Sequence, residues 1–213
     1  MLGGLLVKLA FLACLVSILA FFENHRTNNT RALRIGRIFY YVTAVLVLLF
    51  SALQLYNILT HQFQYSYVWS YSSKDLSLPL LISTFYAGQE GSFMLWALYA
   101  VLIGVFLMHY SSRKGYEPQV MSVYATIPLM LLLMMIAKNP FAYVWETWPD
   151  VAVGTVPRDG RGLNPLLQNY WMVIHPQVLF SGTFDRIQRQ ILNRSCALSG
   201  CHDSQTQAGG MLL

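Results

Sequence analysis

Two stretches of this chain carry residue types able to do chemistry, and both lie towards its C-terminus. The first is residues 160–180, GRGLNPLLQNYWMVIHPQVLF, an aromatic-rich run that is uncharged from Leu163 and holds one imidazole, His175, followed by Pro176. A neutral imidazole ligates a metal through one ring nitrogen while a hydrogen bond to the other fixes its orientation. Pro176 has no N–H to donate and steers His175 away from helical dihedrals, which suits a ligand at a helix edge. An interfacial histidine that binds nothing is the plainer reading of the same residues. The second stretch is Cys196-Ala197-Leu198-Ser199-Gly200-Cys201-His202, a Cys-x4-Cys-His pattern. Two thiols can add to haem vinyl groups as thioethers, with the adjacent His202 ligating the iron. The usual spacing is Cys-x2-Cys-His, so the longer one is a looser match. A Cys196–Cys201 disulfide in an oxidising compartment explains the pair equally well. Zinc is a poor fit, because Cys196, Cys201 and His202 offer three donors without an obvious fourth.

What positions these residues is a membrane scaffold. Hydrophobic residues make up 55% of the 213-residue chain and charged residues 11%, too few to clothe a soluble domain. The apolar residues come in blocks able to cross a hydrocarbon core, which takes about 20 helical residues. Four spans are expected, at about 1–22, 38–59, 92–110 and 120–137. The first is read as a retained helix rather than a cleaved signal peptide, since no Ala-x-Ala-like site follows Phe21-Phe22-Glu23-Asn24. Cys14 inside it reads as a small apolar residue. Residues 23–37 read as a polar connection, and Pro128 should kink the fourth span.

Positive charge gives the orientation. The 23–37 and 111–119 connections hold six Lys/Arg, against Lys74 alone in the 60–91 connection. The basic connections are therefore expected to be cytoplasmic, with the N-terminus, residues 60–91 and the whole of 138–213 on the other side. The net charge of +5 is a topology signal in such a chain and gives no support for nucleic-acid binding. Three regions follow: a four-helix transmembrane part over 1–137, an extracytoplasmic segment over 138–182, and a separate tail over 183–213. No nucleotide-binding glycine loop, Ser-His-Asp set or carboxylate pair stands out.

Several blocks match a known pattern. Ala87-Gly88-Gln89-Glu90-Gly91-Ser92 resembles the Gly-Gly-His-Glu-Gly-Ser segment of the cytochrome c assembly family, the membrane haem lyases of the CcmF and CcsA kind. Asn139-Pro140-Phe141, then Asp159-Gly160-Arg161-Gly162-Leu163-Asn164-Pro165-Leu166-Leu167-Gln168, then His175-Pro176 resemble that family's Asn-Pro-Phe, Gly-Leu-Asn-Pro-Leu-Leu-Gln and His-Pro-Pro blocks, in order. The match covers about residues 1–180. It implies a multi-pass protein of the bacterial inner membrane with haem held non-covalently on the outer face by two axial histidines flanking a Trp-Trp-Asp segment. It makes His175 one of those ligands, with Asn164, Pro165, Gln168 and Pro176 shaping its surroundings. Gly88, Glu90 and Gly91 stand either beside the haem or as a helix cap. Membrane lipid, apocytochrome c and other maturation proteins are the implied partners.

The departures are specific. Gln89 stands where the family has histidine, and Gln177 where it has the second proline. A Trp-Trp-Asp segment, the second flanking histidine and the later spans are missing. Trp145-Glu146-Thr147-Trp148-Pro149-Asp150 lies on the wrong side of the Gly-Leu-Asn-Pro block and reads as an interfacial anchor. His61, His25 and His109 read as solvated or bland. The tail resembles the opening of a cytochrome c-like domain, with only eleven residues after His202. The expectation is an all-α, four-span membrane protein serving cytochrome c maturation, a truncated or chimeric member not active alone. The alternatives are a membrane-anchored c-type electron carrier, using Cys196, Cys201 and His202, and a non-functional fragment.

Overall fold

A computed structural model describes residues 2–168 and, beyond them, the isolated positions 178, 182, 186, 189 and 190. His175, Pro176, Cys196, Cys201 and His202 lie outside the described residues. The chain is a multi-pass, all-α membrane protein: four helical stretches are long and apolar enough to cross a bilayer. They are α1 (Leu2–Thr27), α2 (Thr30–Leu59), α5 (Gln89–Lys114) and the α6–α7 pair (Glu117–Tyr124 and Thr126–Ala137). Between α2 and α5 lie α3 (Ser66–Tyr71), α4 (Leu78–Ser83) and a 3-10 turn at Thr84–Tyr86. After α7 come α8 (Val144–Thr147) and a 3-10 turn at Pro165–Leu167.

The bundle inverts the soluble pattern. On α1 the buried positions are Gly3, Val7, Ala10, Ala13, Cys14, Ser17, Phe21 and Asn24, while Leu5, Leu9, Leu12, Val16 and Leu19 face outward. Lipid tails are as apolar as leucine, so burying Leu gains little; small residues let backbones approach and van der Waals contact hold them. Gly36 of α2 illustrates this, because a Cβ there would sit 3.1 Å from the Phe21 ring, and the Ser17 hydroxyl donates to the Gly36 carbonyl at 2.8 Å. Gly104 of α5 lies against the Tyr40 hydroxyl and the Tyr124 ring, where α2, α5 and α6 meet.

Two expectations are modified. Residues 23–37 are not a loop, since α1 and α2 run through the polar stretch and are separated only by Asn28, at φ 53°, and Asn29, whose side chain accepts from the Arg31 N–H at 3.0 Å. Outside the lipid, Arg and Thr continue a helix readily, and the positive-φ asparagine ends it. The fourth span does break, at Ala125, three residues before Pro128. Proline lacks the N–H that would reach the Tyr124 carbonyl and its ring presses on that group, so the break belongs one turn upstream. The Cys14 thiol donates to the Ala125 carbonyl at 3.4 Å, giving this residue a polar partner at the break.

Candidate functional site

The matched blocks are assembled at one end of the bundle, and the organising element is the short helix α3. The Tyr67 hydroxyl accepts from the Gly88 N–H at 3.1 Å and donates to the Thr84 carbonyl at 2.8 Å. A Cβ on Gly91 would lie 2.1 Å from both that hydroxyl and the Phe85 carbonyl, and one on Gly88 would lie 2.5 Å from the Tyr71 ring. These glycines are therefore places where two helices touch. Gly88 is also the N-cap of α5, and Glu90 sits in its first turn, where the helix dipole favours a carboxylate. Burial, followed by the nearby Tyr71 and Glu90, raises the Tyr67 phenol above the ordinary tyrosine range, while the Gly88 N–H acts the other way. It stays neutral and remains a donor.

The 139–148 segment pairs with the other edge of α3. The Ser66 N–H donates to the Ala142 carbonyl at 2.9 Å and the Val144 N–H to the Gln64 carbonyl at 3.0 Å, around an isolated antiparallel bridge between Tyr65 and Tyr143. Those two tyrosines stack at 5.4 Å, and Tyr143 stacks on Trp145 at 4.6 Å. Phe141 covers Gly3, where a Cβ would fall 2.3 Å from the ring. The Asn-Pro-Phe block thus closes the bundle by seating a ring on a helix that has no side chain at that point.

The Asp-Gly-Arg-Gly block folds over the C-terminal end of α3. The Arg161 N–H donates to the Trp69 carbonyl at 2.7 Å and the Gly162 N–H to the Ser72 carbonyl at 3.0 Å. Gly160 has no room for a Cβ, with the Ser72 carbonyl oxygen 2.0 Å away, and Gly162 takes φ +81°. The Asp159 carboxylate accepts from the N–H groups of Lys74 (3.1 Å) and Gly160 (2.8 Å), which hold its pKa below the usual range. The Arg161 guanidinium lies 4.2 Å from the Trp69 ring centroid and 4.6 Å from that of Trp148, which meet edge to face. Trp148, expected as a lipid anchor, is one wall of this cation–π clamp. Leu163 is buried beneath; Asn164 and Pro165 are exposed, and the Gln168 amide donates to the Leu163 carbonyl at 2.8 Å.

Between α3, the start of α5 and the 139–148 segment lies a cavity of about 170 Å³, lined by Ser66, Tyr67, Ser70, Tyr71, Glu90, Asn139, Pro140, Ala142, Thr147 and Trp148. A haem does not fit there. The volume is below the roughly 300 Å³ of the smallest typical ligand pockets, and no histidine lines it. Among the described residues no group of three or more His, Cys, Asp and Glu is placed to hold a metal. His61 is half-buried rather than solvated, at φ 53°, with its Nδ1 buried and without a hydrogen-bond partner among the described residues. The structure therefore brings Gly88, Glu90, Gly91 and the Arg161–Gln168 run to one face; the haem-ligand residues named from sequence lie outside the described residues. Sequence reading missed α3, and it named Arg161 only within a matched block and Trp148 only as an interfacial anchor, missing that they pair; the aromatic density of 65–71 and 143–148 was the available signal.

No protein-family model matches the chain. Cytochrome c-type biogenesis protein CcmF of Pseudomonas fluorescens is 32% identical over 133 residues, which is 60% of this chain and 18% of that protein. The probable cytochrome c-type biogenesis protein NrfE of Escherichia coli strain K12 is 32% identical over 140 residues, 65% of this chain and 24% of that protein. The chain thus spans about a fifth of the length of these curated relatives. A solved structure of Cytochrome c Heme Lyase CcmF superposes with a TM-score of 0.73 at 21% identity, covering 95% of this chain and 31% of that chain, a likeness of fold.

Proposed function

Because this chain is a relative of the CcmF and NrfE cytochrome c-type biogenesis proteins, we propose that it serves cytochrome c maturation by handling haem for apocytochrome c at the outer face of the bacterial inner membrane. The observation that carries this reading is the convergence of the Gly88–Gly91, Asn139–Phe141 and Arg161–Gln168 blocks around α3, at one end of the bundle. Residues far apart in sequence are used there to hold one another, which is what a platform for the following segment requires.

The haem ligand in this proposal is His175, seven residues beyond Gln168. The 170 Å³ cavity is not the haem site. The chain's own described contribution is positional: the Arg161 clamp and the Asp159 turn fix where the segment leading to His175 departs from the bundle. The tail residues Cys196, Cys201 and His202 belong to the same proposal as a covalent haem site, with a Cys196–Cys201 disulfide as its rival.

Deleting the gene from its host should lower the peroxidase-active haem stain of c-type cytochromes on denaturing gels. A wild-type copy should restore it and His175→Ala should not. An unchanged stain in the deletion strain overturns the maturation reading; full rescue by His175→Ala overturns the ligand assignment alone. A stain on this chain itself that is lost in Cys196→Ser and Cys201→Ser would assign the tail to covalent haem, whereas uptake of two thiol labels only after reduction would assign it to the disulfide.

A further inference from the structure

We propose that the cavity between α3, the N-terminus of α5 and the 139–148 segment is a binding site for an alkylammonium group, with Glu90 as counter-ion and Tyr67, Tyr71 and Trp148 as its walls. The cavity holds one carboxylate, three aromatic side chains and the side chains of Ser66, Ser70, Asn139 and Thr147. Glu90 is half-buried and, among the described residues, no hydrogen bond or ion pair reaches it; the one ion pair among them joins Arg37 to Glu117 at the opposite end. The ammonium of Lys138 donates to the neighbouring Gln89 amide oxygen at 2.5 Å. The Glu90 charge is felt by both phenols, contributing after burial to the raised pKa of Tyr71 as it does for Tyr67.

The lining chooses among ligand classes. A carboxylate repels anions. Calcium needs about six to eight oxygen ligands and magnesium a near-octahedral shell, and one carboxylate among aromatic faces supplies neither. An ammonium on a short alkyl stem uses all of it: charge to Glu90, methylenes against the rings, N–H groups to the hydroxyls and the Asn139 amide. The Tyr67 and Tyr71 rings, 4.9 Å apart and tilted by 44°, line one side of the cavity. The same face already holds a guanidinium between two indoles at Arg161. With about 170 Å³ available, a butylammonium-sized group is accommodated and a whole peptide is not. The ligand is thus either a free amine or one lysine-type side chain of a larger partner.

The full chain in detergent, followed by tryptophan fluorescence through Trp148, tests this. Titration with n-butylammonium should give a saturable change that n-butanol, butyrate and calcium do not reproduce. Glu90→Gln should weaken it about tenfold, the scale of one partly desolvated charge contact. Thr147→Lys, which supplies an ammonium from the rim, should abolish the response without the Glu90 change. A blocked lysine amide binding tighter than butylammonium assigns the site to a peptide side chain; equal binding assigns it to a free amine. An equal response to n-butanol, no saturable response, or undiminished binding in both variants overturns the proposal.

Discussion

Arg161 secures its segment in two ways at once, through its backbone N–H on the Trp69 carbonyl and through a guanidinium held between Trp69 and Trp148. Because the side chain is exposed, each ring contact is worth about 0.5–1 kcal/mol. Arg161→Ala should therefore cost about 1–2 kcal/mol in detergent unfolding and move the tryptophan emission to the red, while Arg161→Lys should recover only part, since an ammonium cannot lie flat on an indole. Asp159 adds a pH dependence of definite sign. Its folded pKa is depressed by the Lys74 and Gly160 N–H groups, so its contribution is present above the unfolded value and lost as pH falls through the lower, folded one. The 159–162 turn should hold at neutral pH and loosen only below the ordinary aspartate range, a transition that Asp159→Asn removes and that hydrogen exchange at the Lys74 amide would report. At Gly91 a methyl group meets the Tyr67 hydroxyl and the Phe85 carbonyl. Gly91→Ala should cost about 1–3 kcal/mol by overpacking.

Among the elements, the spanning helices are the ones a reader of the sequence finds, because each is a long apolar block and little else explains such a block. Their polar ends were harder: Arg31, Arg34 and Arg37 looked like a connection and proved helical, since charge marks the edge of the lipid and says little about where a helix stops. The six-residue helices α3 (SYVWSY) and α4 (LPLLIS) are too short to show a helical period, and only the aromatic density of α3 marked it. Their stability comes from partners distant in sequence, as when Tyr67 bonds Gly88 and Ser66 bonds Ala142. The glycines of the Gly88–Gly91 block were noticed for their pattern, yet their reason, the ring of Tyr67 or Tyr71 pressed against them, needed coordinates. At the central crossing, Gly104 meets Tyr40 and Tyr124. Gly104→Ala should lower the unfolding midpoint by an amount matching about 1–3 kcal/mol, while Gly115→Ala, at φ +82° with nothing within 4 Å, should cost only about 1 kcal/mol of backbone strain.

Taken whole, the bundle has two unlike ends. One gathers α3, α8, the start of α5 and the 139–162 residues; the other carries Arg26, Arg31, Arg34, Arg37, Arg113 and Lys114. If the basic end is cytoplasmic, a reporter active only outside should work when fused after Lys74 and fail after Lys114; activity after Lys114 would reverse the orientation. At the basic end Arg37 grips the buried carboxylate of Glu117 with two nitrogens and also donates to Ser112 at 2.7 Å. The two charged partners are 80 residues apart, so at about 5–20 residues per second the ribosome delivers Glu117 roughly 4–16 s after Arg37. Until then the carboxylate that Arg37 grips has not been made; its arrival rivets α2 to α6, so the early and late halves of the bundle are locked together only once the second has been synthesised.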